Sequence, residues 1–116
     1  MKNEITTHEE KVFANIDYTE KTLMNREFYK CRFERCVFYK SDLSGNSFED
    51  CIFENCNFSM TRIEGASFRN AIYIGCKIMG VDFTKCNNII FTFKFDNCHM
   101  DYSTFSGTKI KKTNFI

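Results

Sequence analysis

The stretch Cys51-Ile52-Phe53-Glu54-Asn55-Cys56-Asn57-Phe58-Ser59-Met60 holds two copies of one unit: a small residue, a variable one, Phe, then two further residues. Phe53 and Phe58 lie five apart, and that spacing continues both ways. Toward the N-terminus it passes Phe48, Leu43, Phe38, Phe33, Phe28, Leu23, Tyr18 and Phe13. Toward the C-terminus it passes Ile63, Phe68, Tyr73, Ile78 and Phe83. The frame then slips by two residues and resumes as Ile90, Phe95, Met100, Phe105, Ile110 and Phe115. Every one of these positions is apolar in a chain that is only 43% hydrophobic. Self-similarity at a short fixed period means one small unit used many times.

A period of five fits neither a helix nor a straight strand. Five helical residues advance the side chain by about 140° beyond a full turn, so no face stays apolar. A strand alternates sides, and an odd period sends successive Phe residues to opposite faces. The conflict disappears if the chain changes direction once per unit, so that each unit forms one short side of a coil. Residues two apart on an extended segment share a face. The position two before each central residue should therefore also point inward. It holds all seven cysteines (Cys31, Cys36, Cys51, Cys56, Cys76, Cys86 and Cys98), with Ala66, Ala71 and Val81. The remaining positions are mostly polar or Gly, as in Ser44-Gly45 and Glu49-Asp50. Small and large residues thus alternate inside, and the outside is wet.

This pattern resembles the pentapeptide repeat proteins. Cys51–Asn55, Cys56–Met60 and Ala66–Asn70 match that family's unit, and the resemblance covers roughly residues 13 to 116. It implies an all-β fold: a right-handed, four-sided parallel β-helix with a filled core, about five coils of four repeats, stacked at strand spacing of about 4.8 Å. With four repeats per coil, the expected core contains the stack Phe33, Phe53, Tyr73 and Phe95, continued by Phe115. Beside it stand Phe48 and Phe68, and a column of Cys36, Cys56, Cys76 and Cys98. Residues 1–12 are expected to be a separate polar segment covering the first coil, with Thr7-x-x-Glu10 as a capping box. Residues 13–116 form the β-helix, with a two-residue irregularity near 85–89. The ending just after a central Phe suggests a shortened form, or a last coil that packs on another subunit.

Composition restricts the function. A length of 116 residues allows one domain, and 16 Lys and Arg against 15 Asp and Glu give a net charge of +1. Nothing here favours direct binding of nucleic acid, which calls for a basic surface. No apolar run reaches the length of a membrane span, and Met1-Lys2-Asn3-Glu4-Ile5 is not a signal peptide, so a cytoplasmic protein is expected. There is no Cys-x-x-Cys, and stacked thiols make a poor tetrahedral cage. The cysteines are expected to be reduced, inward-facing and metal-free. His8 falls in the terminal segment, His99 faces outward, and the glycines are scattered singly, so no catalytic constellation, cofactor or metal site is expected.

What remains is the outer surface. In the coil register Ile52, Ile72 and Ile74 come together on the outside. Two readings of them stand: strand propensity alone, or a contact surface for a partner or a second copy. Phe91, with Asn87 and Asn88, marks the irregular corner, where it either covers the bulge or confers specificity. A homodimer would form through a coil end or through the isoleucine face. The chain thus reads as a non-enzymatic, rigid protein-binding or scaffold module. The alternative comes from the resemblance. One group in that family, the quinolone-resistance proteins, binds DNA gyrase by mimicking duplex DNA, and the Cys-rich inner positions and mid-chain interruption look like that group. The near-neutral charge does not.

Overall fold

The chain turns at residues whose backbone enters the left-handed region. In the computed structural model, which describes residues 4–86 and 93–104 and the backbone of 110–115, such residues recur every five positions. They include Glu10, Asn15, Glu20, Asn25, Lys30, Arg35, Lys40, Gly45, Asp50, Asn55 and Met60, with φ between 51° and 74°. Each stands two residues after a central side chain. Most are not glycine, and a left-handed conformation costs an L-residue roughly 1–2 kcal/mol. The coil-to-coil ladder offsets that cost. Corner amides donate to the coil above, as from Asn15 to Glu34 O (2.9 Å), Arg35 to Glu54 O (2.9 Å) and Asn55 to Ile74 O (2.8 Å).

Two of the four sides are parallel sheets. One has the order β1-β3-β5-β7, with β1 Thr6–Glu9, β3 Arg26–Tyr29, β5 Ser47–Glu49 and β7 Ser67–Arg69. The other runs β2-β4-β6-β8-β9-β10, with β2 Val12–Ala14, β4 Arg32–Glu34, β6 Ile52–Glu54, β8 Ala71–Ile74, β9 Phe93–Cys98 and β10 Ile110–Phe115. Single bridges hold the other two sides, through Asp17, Val37, Asn57, Lys77 and His99, and through Thr22, Asp42 and Arg62. Partners are twenty residues apart (Phe33↔Phe53) until β8, where the offset becomes 22 (Tyr73↔Phe95, Asp82↔Thr104). The shift begins by Lys85, whose carbonyl takes the Gly65 amide one residue later than the corner bonds of earlier coils, such as Gly45 N to Glu64 O, and it is complete at Phe93, which pairs with Ala71. The fold is an all-β, four-sided parallel β-helix. Phe33, Phe48, Phe53, Phe68, Tyr73, Phe95, Cys36, Cys56, Cys76 and Cys98 are all buried in it.

The structure corrects several details. Residues 6–9 are not a separate cap. They are the first strand of the coil, His8 pairs with Phe28, and no helix follows the Thr7-x-x-Glu10 match. The frame therefore begins at His8, five before Phe13. Its aromatic ring does the work of a phenylalanine, stacking on Phe28 at 4.8 Å and 13°. The regular part comprises four coils, about residues 6–85, where about five were expected; β9 adds a further layer at the altered offset, and β10 pairs on β9 beyond it. The expected register of Phe115 over Phe95 is also not kept: the β10 backbone pairs with β9 as Ile110↔Phe93 and Phe115↔Cys98. That offset of 17 is shorter than a full coil, and register shifts interrupt it. Phe93 takes the inner position opposite Ala71, where earlier coils carry Cys or Ala. It meets Phe83 edge-on at 5.0 Å and Phe95 stacked at 5.5 Å.

His8 makes the first coil sensitive to pH. Its Nε2 is buried without a hydrogen-bond partner. Burial, with Arg26 and Lys11 nearby, lowers its pKa below the usual 6.5. The unfolded chain therefore takes up the proton first as pH falls. Stability is complete above about 6.5 and declines below it, toward the lowered folded value. Exchange of the Thr6–Glu10 amides, corrected for intrinsic rates, should be faster at pH 5 than at pH 7.5, and His8→Phe should abolish the difference. Equal protection at both pH values would refute this.

Candidate interaction surfaces

The interior leaves no room for chemistry. The small inner residues donate to the carbonyl of a central residue on the previous coil. Cys36 Sγ reaches Phe13 O at 3.3 Å, Cys56 reaches Phe33 O at 3.3 Å and Cys76 reaches Phe53 O at 3.2 Å. Ser41 and Thr61 do the same toward Tyr18 O (2.6 Å) and Phe38 O (2.8 Å). The position thus selects a small donor, which explains Cys, Ser and Thr together. All seven thiols are free and buried. Burial pushes Cys51 up to about 12 and Cys86 up to about 11. In the column, Cys36 and Cys76 are raised by the hydrogen bonds they share with Cys56 and by burial. The same shared bonds lower Cys56 and Cys98, so what keeps this column from chemistry is enclosure: Cys36, Cys56, Cys76 and Cys98 are all buried, each sulfur against a backbone carbonyl. Among the described residues, no group of three or more His, Cys, Asp or Glu could hold a metal ion.

Tyr73 is the exception to this economy. It is fully buried between Phe53 (4.6 Å) and Phe95 (5.3 Å), and its hydroxyl has no hydrogen-bond partner. Burial raises its pKa well above 10, so it cannot serve as a proton donor or acceptor near neutral pH. An unpaired buried hydroxyl costs about 1–3 kcal/mol. Tyr73→Phe should therefore stabilise the protein by about 1 kcal/mol, read as a higher urea midpoint at unchanged slope. A destabilised variant would contradict that picture.

Two outer regions carry apolar side chains. On the larger sheet, Ile52 pairs with Ile72, while Ile74 pairs with Glu54 below it and Asp96 above it. All three isoleucines are half-buried. Below them Arg32 bonds Glu54 at 2.9 Å and lies 3.7 Å from Glu34. Beside Ile52 and Ile72 runs a groove of about 390 Å³, lined also by Asp50, Asn70, Ala71, Phe93 and Lys94. Asn87, Asn88 and Phe91 lie outside the described residues. Sequence reading missed the second region, a groove of about 460 Å³ at one corner, lined by Tyr39, Asn57, Ser59, Met60, Lys77, Met79, Gly80 and Tyr102. Tyr39 is 39% exposed, Met60 48% and Tyr102 88%. Their neighbourhood follows from the period of twenty, not the period of five: Lys40, Met60, Gly80 and Tyr102 are successive corners of one edge.

A family model described as a pentapeptide repeat region matches residues 46–116, more than half of the chain. No curated protein sequence matches it. Among solved structures, full-length QnrB1, a plasmid-mediated fluoroquinolone resistance protein, superposes with a TM-score of 0.54 at 17% identity, over 94% of this chain and 76% of that one. Rfr23, a pentapeptide repeat protein from the cyanobacterium Cyanothece 51142, gives 0.42 at 14% identity, over 96% and 88%. The five-residue sides, the left-handed corners and the small donors beneath stacked rings are this chain's version of the matched repeat, and the chain belongs to the pentapeptide repeat family.

Proposed function

We propose that the chain is a non-enzymatic binding module that presents rigid sheet faces to a protein partner or to a second copy of itself. One observation carries this reading: the polar groups that could do chemistry are scattered over a solvated surface, whereas Ile52, Ile72 and Ile74 gather on one sheet face. Neighbouring β-branched side chains on a flat parallel sheet offer a preformed contact that loses little entropy on binding. Ile72→Asp should abolish self-association or partner capture while leaving the circular dichroism melt within about 1 kcal/mol of the parent. Unchanged association in sedimentation and pull-down experiments would remove this face from consideration.

A second reading, protection or inhibition of DNA gyrase or topoisomerase IV, is prompted by the likeness to QnrB1. Its charge distribution weighs against it. A phosphate mimic needs columns of unneutralised acid, whereas here Glu54 meets Arg32 at 2.9 Å, Glu64 meets Arg62 at 3.3 Å and Glu49 meets Arg69 at 3.7 Å. Supercoiling assays with and without a fluoroquinolone separate the two readings. Relief of drug inhibition would favour the second, and no effect the first.

A further inference from the structure

The corner groove differs from the isoleucine face in one respect: it combines large exposed apolar groups with an uncompensated charge. Gly80 creates the opening. It is a left-handed corner (φ 68°) without a side chain, and Met60 from the coil below leans into the space. A Cβ built on Gly80 would stand 2.5 Å from Met60 Sδ. The backbone here is tight, with Met60 N donating to Met79 O (2.8 Å) and Gly80 N to Asp101 O (3.0 Å). The groove is therefore a gap between side chains on a rigid edge. Tyr39 and Tyr102 flank it, and Met60 and Met79 supply adaptable thioethers.

Lys77 is the charged group that lines the groove, and no carboxylate lines it. Among the described residues Lys77 forms no ion pair, whereas Arg32, Arg35, Arg62 and Arg69 all do. Lys40, the next corner cation, lies 5.4 Å from the Tyr39 ring centre, beside the groove. A lone ammonium among methionines and tyrosines is complementary to a ligand that pairs an apolar side chain with a carboxylate. We infer that this groove is a docking site for a short acidic, apolar peptide segment of a partner protein. The apolar side chain sits between Met60 and Met79, and an adjacent carboxylate accepts from Lys77 Nζ. This rests on the binding-module reading but places recognition on a different side of the coil from Ile72.

The test uses the whole chain labelled with ¹³C at its methionine methyls, so that Met60 and Met79 report directly and Met24, which does not line the groove, serves as reference. The probes are an acetylated, amidated hexapeptide alternating Asp with Leu and Phe, and its twin with Lys in place of Asp. The acidic peptide should shift the Met60 and Met79 signals saturably and leave Met24 unmoved, and the basic twin should shift neither. Lys77→Glu, a surface change, should weaken the acidic peptide at least about ten-fold. Lys77→Gln should fall between the two, and both variants should keep the parent melting profile. Equal shifts from the two peptides, no shift from either, or unaltered affinity in Lys77→Glu would overturn the inference. None of those results bears on association through Ile72, so the binding-module reading stands or falls separately.

Discussion

Phe53→Ala should cost about 3–5 kcal/mol, the largest effect of any single truncation considered for this chain. Phe53 is fully buried and lies in the middle of its stack, 4.9 Å from Phe33 and 4.6 Å from Tyr73 at nearly parallel angles. Edges of Phe58 (5.6 Å) and Phe38 (6.2 Å) close on its sides. The backbone cannot collapse into the space left by the ring, because the strands above and below are held in register by the ladder. The whole ring volume therefore becomes cavity. A domain of this size has about 5–15 kcal/mol of stability, so the variant loses about a fifth of it or more. Phe13→Ala supplies the contrast. Phe13 is half-buried in the first coil and has a stacked partner, Phe33 at 5.0 Å, on its other side. Its loss should be about 1–2 kcal/mol. Urea unfolding of both variants checks the gradient. Equal losses would mean that the two positions are not middle and end of one column.

Central residues announce themselves because burial selects large apolar groups at a fixed interval, and Phe33, Phe53 and Tyr73 need no further information. His8 escaped because it is polar by composition but aromatic by shape, and the stack uses the shape. Phe93 escaped because an inner position that is small on three coils accepts a large ring where two extra residues alter the register. The coil count and the pairing of β10 depend on how the chain closes after that insertion, and no local pattern encodes this. The corner groove was invisible for a different reason. Met60 and Tyr102 are unremarkable one at a time and become a surface only when corners twenty and 22 residues apart are superposed. An inside position repeats every five residues, but an outside neighbour is found one whole coil away.

That distinction also explains Asn46, whose replacement should have the second-largest effect. It occupies a small inner position and is 1% exposed. Its Nδ2 donates to Leu23 O (2.8 Å) and Leu43 O (3.1 Å), while its Oδ1 accepts from the Arg26 backbone amide (2.8 Å). The amide joins two coils, with carbonyls on one side and an N–H on the other, an arrangement only Asn or Gln can satisfy and only Asn fits. Asn46→Ala leaves Leu23 O and the Arg26 amide without this partner. Two groups at about 1–3 kcal/mol each would give about 2–6 kcal/mol if fully buried; both bonds are only part-buried, so the expected loss lies in the lower part of that range, about 2–4 kcal/mol. Ala66, one coil above, shows that the small side chain itself fits this column, so the loss reports hydrogen bonding more than packing. Asn46→Asp sharpens the test. It keeps shape and volume and still accepts from Arg26, but it places a carboxylate against two carbonyl oxygens. It should therefore be less stable than the alanine variant at pH 7. If unfolding measurements ranked Asp above Ala, the carbonyls of Leu23 and Leu43 would not be what this side chain is there to satisfy.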